Sequence, residues 1–440
     1  MLRQAARAAT RGTIEHGRPL DARRVSIARA AAWVRTRSAR WWLCALLSTV
    51  GIVEAVQLAF AFFGDRSLIF YGYDFPAFYA AAHMVADGSG HLIYDVEAVG
   101  RRELEIVGAP VGGTGVLAYF NPPFFALLLA PLSLVSIDRA FQLWTLFNLA
   151  LLAASVLMLR ALTPELSRKA RWTLILAFVT LVPITYGLAH GQFSLILLTS
   201  WSGAYLLLRR NHDAWAGAAL APLLIKPELL IVVAIYVAWK RRWAVFATLA
   251  PITVAAVLVS LWVAGLASAI DYPAYLMDST QWHGAGVTSR LMFDWNGIVA
   301  MAWDAPASRL RLALVAVLSI ATVVLAARAW RGGFDARSGR FELQWLTLTI
   351  ATILVDPHFY LQDTIMLALP AFAFLNAVER DQRRRIVLVM VLGWMLLALG
   401  TFPNEHLRVN LVGLYLLGCF AFLLWWPRMA PETRFARVAA

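Results

Sequence analysis

The sequence predicts an all-α polytopic membrane protein, and three observations carry that prediction. Of its 440 residues 60% are hydrophobic and only 15% charged. The mean hydropathy is +0.66. Apolar runs recur from end to end, with basic residues gathered in the short stretches between them. A chain of this composition has more apolar surface than a soluble core can hide, and its 18 Trp suit the two interfaces of a bilayer.

The first forty residues hold ten Arg against Glu15 and Asp21, with no short apolar core ending in a cleavage site. Residues 1–40 therefore read as a basic cytoplasmic tail, and the span Arg40 to Phe63 doubles as the insertion signal. The net charge of +13 comes from clusters in short loops. It reflects topology rather than a nucleic-acid partner. The clusters Arg168-Lys169-Ala170-Arg171, Arg209-Arg210, Lys240-Arg241-Arg242, Arg328 to Arg340 and Arg383-Arg384-Arg385 face the cytoplasm on this reading, with both termini. The polar segments 64–117, 186–193, 267–306, 356–363 and 402–408 then share the opposite face.

Consistent threading demotes the apolar segment 118–135, which starts Phe120-Asn121-Pro122-Pro123-Phe124, to a partly embedded helix. It also divides 214–238 at Lys226-Pro227-Glu228 into two short helices that rise and return. About twelve crossings result. They form a single integral membrane domain over 41–427, with a first extracytoplasmic loop at 64–137 and a cytoplasmic tail at 428–440. Cys44 and Cys419 both lie in apolar spans, so there is neither a disulfide framework nor a cysteine metal site.

Chemistry-bearing residues concentrate on the outer face. Asp74 lies in Tyr71-Gly72-Tyr73-Asp74-Phe75-Pro76-Ala77-Phe78-Tyr79, at the start of an expected amphipathic surface helix that ends at Asp87-Gly88-Ser89-Gly90. A carboxylate among rings beside a membrane can accept a proton, although an Asp before an aromatic and a Pro is also a reasonable helix cap. Tyr79 offers a ring and a hydroxyl to substrate. His190 and Gln192, in His190-Gly191-Gln192, either bind phosphate and sugar hydroxyls or simply pack two helix ends. Lys226 within an apolar hairpin is costly without a partner, which is either a lipid phosphate or Glu228.

The stretch Asp271 to Pro306, with Trp282, His283, Arg290, Asp294, Trp295 and Asn296, suits a lid over a substrate or an interfacial aromatic belt. In Asp356-Pro357-His358-Phe359-Tyr360-Leu361-Gln362-Asp363, a metal set of Asp356, His358 and Asp363 rests on spacing alone, and a His that orients phosphate is the better reading. No phosphate-binding glycine loop and no His-Glu-x-x-His motif occurs.

Six motifs appear in a fixed order: Asp74-Phe75-x-x-x-Tyr79-x-Ala81-Ala82, Leu92-x-Tyr94-Asp95, Asn121-Pro122-Pro123-Phe124, Gly191-Gln192, Ile225-Lys226-Pro227 and Pro357-His358-x-Tyr360-x-x-Asp363. Together, over roughly Trp41 to Pro427, the chain resembles glycosyltransferase family 87. That resemblance implies a GT-C fold with juxtamembrane helices in the first outer loop, a polyprenyl-phosphate sugar donor, and a glycolipid or envelope-glycan acceptor. It also implies Asp74 as general base, with transfer of mannose or a related sugar on the periplasmic or exterior side of the inner (plasma) membrane. Many GT-C enzymes carry an acidic motif in the second outer loop where this chain has His190 and Gln192, so no divalent metal or other cofactor is expected. A transporter of a lipid-linked sugar is the rival from another class, because broken helices and a buried Lys serve transport too. A ligase of lipid-linked glycans would need one very large loop.

Overall fold

A computed structural model describes residues 39–63, 74–111, 115–279, 288–303, 308–335 and 339–429. The tails, Tyr71-Gly72-Tyr73, Trp282 and His283 lie outside the described residues. Two compact units divide at Val50 and Gly51. In Met1–Val50 the described residues open helix α1 (Ala39–Phe63), with Trp41 and Trp42 edge to face.

The described residues are helical, and their one β-type pairing is an isolated bridge between Val111 and Gly115. Four helices are long and apolar enough to cross a membrane: Arg40–Phe60 within α1, Ile137–Leu162 (α5), Trp243–Leu276 within α11 (Trp243–Ser279), and Arg309–Ala329 (α13). A fifth candidate is the bent pair Arg168–Val179 (α6) and Val182–His190 (α7), which meet at 41°. Large apolar side chains on these helices, such as Leu157, Trp262 and Ile320, point outward, as lipid-facing surfaces require.

Helix α14 (Arg340–Val355) behaves oppositely. Every residue from Phe341 to Leu354 is buried, the mark of a helix enclosed by its neighbours on all sides. It packs on α10 (Leu229–Trp239), α13, α15 (Ala368–Ala377) and α17 (Leu411–Met429). Trp201 on α8 (Ser194–Arg209) donates to Thr349 on α14 at 3.0 Å. Helix α16 (Arg380–Ala398) packs on α15 and α17.

The two segments demoted from crossings are short in the structure. Pro123–Leu129 (α4) runs into a 3₁₀ stretch, Ala130–Leu134. Asp213–Leu220 (α9) runs into Ala221–Ile225, and the chain breaks at Lys226 before α10. Proline stands in the first turn of Pro123–Leu129, Ala130–Leu134 and Ala221–Ile225, where it starts a helix but cannot extend one backwards.

Two expectations need correction. Helix α2 (Phe75–Ala86) is not a surface amphipath: all its residues from Phe75 to Ala82, and Met84, are buried. The Ala80-Ala81-Ala82 run lets neighbours approach closely, and Phe75 and Phe78 pack on Phe141, Phe125 and Phe193 at ring separations of 5.3, 6.1 and 5.7 Å. The first loop also holds a polar helix, α3 (Val96–Val107), capped by Asp95, whose carboxylate accepts from Ala98 N–H.

The presumed lid begins as helix, because α11 continues to Ser279 past a break at Gly265 (φ +80°, ψ 166°). Beyond the break Tyr272 and Tyr275 stack on Tyr94 at 4.9 and 5.0 Å. Tyr94, Tyr272 and Tyr275 donate to the carbonyls of Asn121, Phe120 and Tyr119 at 2.9, 2.8 and 3.0 Å, so three hydroxyls clamp one stretch of backbone. Among the described residues, the lid region goes on with the turn Ser289–Leu291 and the short helix α12 (Trp295–Ala302).

Candidate active site

Asp74 occupies the N-cap position of α2, yet its side chain makes no capping bond. Backbone alone closes that end, Ala77 N–H donating to the Asp74 carbonyl at 3.2 Å. The carboxylate instead accepts from the Gln192 amide, Nε2 to Oδ2 at 2.5 Å, across 118 positions of sequence. Burial pushes the Asp74 carboxyl above the usual range, while His190 and the Gln192 bond pull it down and Asp363 opposes them.

Gln192 reaches Asp74 because of Gly191. That residue ends α7 in the left-handed region (φ +68°), and a Cβ there would lie 2.7 Å from the Phe75 Cβ. Only glycine combines this conformation with so close an approach. Gln192 N–H then donates to the Gly187 carbonyl at 2.8 Å, and Trp144 donates to the Gly191 carbonyl at 2.7 Å. One turn back, the His190 ring stacks on Tyr186 at 3.7 Å. Its Nδ1 lies 2.8 Å from the Tyr186 carbonyl, which can only accept, so Nδ1 carries hydrogen.

Two residues beyond Gln192, Ser194 donates to Asp363 Oδ1 at 3.1 Å. The other oxygen of Asp363 accepts from Lys226 Nζ at 2.8 Å. Lys226 also donates to the His358 carbonyl at 2.7 Å and pairs with Asp356 Oδ2 at 3.2 Å. The predicted partner was Glu228 or a phosphate. In the structure the ammonium is held by two carboxylates from the loop after α14, more than 120 positions away. Asp356 and Asp363 face this ammonium, and among the described residues no three His, Cys, Asp or Glu are arranged to hold a metal.

Burial, and then the neighbouring Lys226, push the His358 imidazole down to about 4, so it is uncharged at neutral pH. Its loop is fixed from the other side by Asp294, fully buried at the N-cap of α12, which accepts from Gly297 N–H at 2.9 Å and Phe359 N–H at 2.7 Å. Phe293 N–H returns a bond to the Phe359 carbonyl at 2.8 Å. Asn121 adds a last tie, its amide donating to the Ile225 carbonyl at 3.0 Å, one residue before Lys226.

Asp74, His190, Gln192, Lys226, His358 and Asp363 are thus linked by contact or by charge. The remaining predicted residues are placed in the walls. The Tyr79 hydroxyl donates to the Val135 carbonyl at 2.5 Å, joining α2 to the end of the 3₁₀ stretch after α4. Asn296 donates to the Pro357 carbonyl at 3.3 Å and accepts from Arg311 at 2.7 Å. Arg290 is partly buried in its turn, its carbonyl accepting from Asn404 at 2.6 Å. Ser194 was not singled out by sequence reasoning, and Asp294 was read only as part of a lid or an interfacial belt. The only local sign of Asp294 is a capping pattern, Asp three residues before Gly297.

The site can therefore present a carboxylate base beside a buried ion cluster, at a junction of loops and helix ends. No curated protein and no solved structure matches the chain. The sequence model of glycosyltransferase family 87 matches residues 119–357, more than half of the chain. The matched stretch contains Asn121, His190, Gln192, Lys226 and Asp356, while Asp74, His358 and Asp363 lie outside it. The chain belongs to glycosyltransferase family 87 and is a membrane glycosyltransferase.

Proposed function

We propose that the protein transfers a sugar, mannose in the first instance, from a polyprenyl-phosphate donor to a hydroxyl of a glycolipid or envelope glycan, with Asp74 as general base. The observation that carries this reading is the Asp74 carboxylate, released from capping its helix and held by Gln192 beside the Lys226 cluster. Asp74 removes the proton of the acceptor hydroxyl, and that oxygen attacks the anomeric carbon. The bond to the phosphate oxygen breaks on the opposite face, and its electron pair leaves with polyprenyl phosphate, inverting the centre. Phosphate is a good leaving group, so the protein's share is mainly a positioned base and an ordered approach.

Lys226 serves this reaction chiefly by position. Its ammonium already faces three oxygens, and a phosphate would have to displace one of them. The uncharged His358 can donate a hydrogen bond to the departing phosphate but adds no charge, and burial lowers the His190 imidazole as well, which leaves Arg290 as the cationic candidate. With Asp356 and Asp363 turned to Lys226, the reading needs no divalent metal, and transfer is expected to survive EDTA.

The same reading places the chain in the GT-C class with about twelve crossings. Its site opens on the periplasmic or exterior side of the inner membrane, where a polyprenyl donor lies in the outer leaflet. The test is transfer of radiolabelled mannose from polyprenyl-phosphate mannose into membrane lipids by wild type and an equally expressed Asp74→Asn protein. Loss in the variant alone supports the reading. Equal transfer removes Asp74 as base, and label that crosses the membrane without a new linkage turns the assignment to transport.

A further inference from the structure

The turn between α7 and α8 holds two carboxylates with two side chains a residue apart: Gln192 takes Asp74 and Ser194 takes Asp363. We propose that Gln192 is a positioning residue for Asp74, its amide fixing one carboxylate oxygen so that the other meets the acceptor hydroxyl. This rests on the reading of Asp74 as the base.

The turn itself does not require glutamine. Its closure uses the Gln192 backbone N–H, which any residue but proline supplies, and its tightness uses Gly191. The amide is what spans the gap to α2, and an amide N–H suits the task physically. It donates to the carboxylate but cannot take the proton that the base must carry, and it favours the ionised form able to accept one. Shortening the side chain by one methylene, as in asparagine, would withdraw the donor from its 2.5 Å contact.

The groups whose charge reaches Asp74 are His190 on α7 and Asp363 on the turn Leu361–Leu367, and the Tyr360 phenol just before that turn feels Asp74 in return. At the C-terminal end of α2, Arg102 of α3 pairs with Asp87 at 2.5 Å near His83. None of these groups is altered by a change at Gln192, so a change there isolates one hydrogen bond. Because Ser194 follows on the same turn, Asp74 and the Lys226 partner Asp363 are held in one register.

The experiment uses full-length protein in detergent micelles, with wild type compared against Gln192→Met, which keeps the volume and removes the donor. Labelling of Asp74 by a hydrophobic carbodiimide, which attacks protonated carboxyls, is followed against pH by peptide mass spectrometry. The pH profile of mannose transfer is measured alongside. The labelling midpoint is expected to rise by about 1 to 2 pH units in Gln192→Met, with the acidic limb of transfer moving equally and the alkaline plateau lowered because the carboxylate is no longer held in position. A residue that only fills space would lower transfer at every pH and leave the midpoint in place, and that result overturns the proposal. A midpoint that moves while the transfer limb stays fixed instead removes Asp74 as base. Should Gln192→Met not fold, Gln192→Glu keeps the length and sets a second carboxyl against Asp74; an unmoved midpoint there overturns the proposal equally.

Discussion

Helices α8, α10 and α14 each run between the same two buried polar clusters, and the clusters are built differently. From Ser194 to Arg209 on α8 the rise is about 22 Å. At the Arg209 end, Tyr205 donates to Glu342 at 2.8 Å and Arg209 lies 3.6 Å from the same oxygen. Tyr236 meets Gln344 at 3.3 Å, and Lys240 donates to the carbonyls of Trp330 and Gly332. Phe341 and Tyr205 stack at 5.1 Å and Trp345 packs beside them.

There the partners come largely from regular helix positions, and one carboxylate answers one guanidinium. At the Lys226 end two carboxylates crowd one ammonium, Asp74 and Asp294 stand in the adjoining loops, and partners come from caps, turns and a broken helix. A buried ion pair is thus no mark of a site in itself. Carboxylates gathered in excess around one ammonium, on caps and turns, are the better mark.

The comparison is sharpened most by Asp74→Asn, expected to lower sugar transfer by about 10²- to 10⁴-fold while thermal stability in detergent holds. Removing the ammonium with Lys226→Met leaves two carboxylates buried without it and is expected to cost about 3–5 kcal/mol of unfolding free energy. Glu342→Gln at the other end keeps an acceptor for Tyr205 and should cost less, about 1–3 kcal/mol. Equal losses in chemical denaturation would break the distinction between the clusters.

Gly191→Ala forces a Cβ to 2.7 Å from that of Phe75 at positive φ and should cost about 1–3 kcal/mol, with transfer falling further because Gln192 is displaced. The smallest effect is expected at Glu103, fully buried, whose carboxylate accepts from Leu117 N–H at 3.0 Å. Burial pushes its carboxyl from 4.5 up to about 8, so folding favours the neutral acid. That contribution is complete below pH 4.5 and fades as pH rises through about 8. Glu103→Gln imitates the neutral form, so it should raise the melting temperature at pH 9 and leave it nearly unchanged at pH 5.

Much of this architecture was legible in the chain. Asn121-Pro122-Pro123 announced a short helix, Lys226-Pro227-Glu228 announced a break, and the turn at Asp87-Gly88 ended α2 where expected. These are local effects of proline and glycine, written where they act. The partners of Lys226 were not legible, because Asp356 and Asp363 reach it only through the packing of α10 on α14. Gln192 was read as a substrate ligand or a packing residue, since nothing local ties it to a carboxylate 118 positions earlier. Helix α2 was misjudged for a similar reason: its polar interruptions resemble a surface helix until α3, α4 and α5 close around it.

The break at Gly265 has a consequence for the bilayer itself. Its backbone lies in a region that in practice only glycine populates, so the apolar stretch Trp243–Ala264 and the segment that carries Tyr272 and Tyr275 do not turn as one rod. A thicker or thinner membrane tilts the apolar stretch to match its hydrophobic length. The tyrosines can keep their grip on Tyr119, Phe120 and Asn121 meanwhile, and through Asn121 on the backbone beside Lys226. One glycine is thereby expected to let the helix follow its lipid while the candidate site keeps its ties to Tyr119, Phe120 and Asn121.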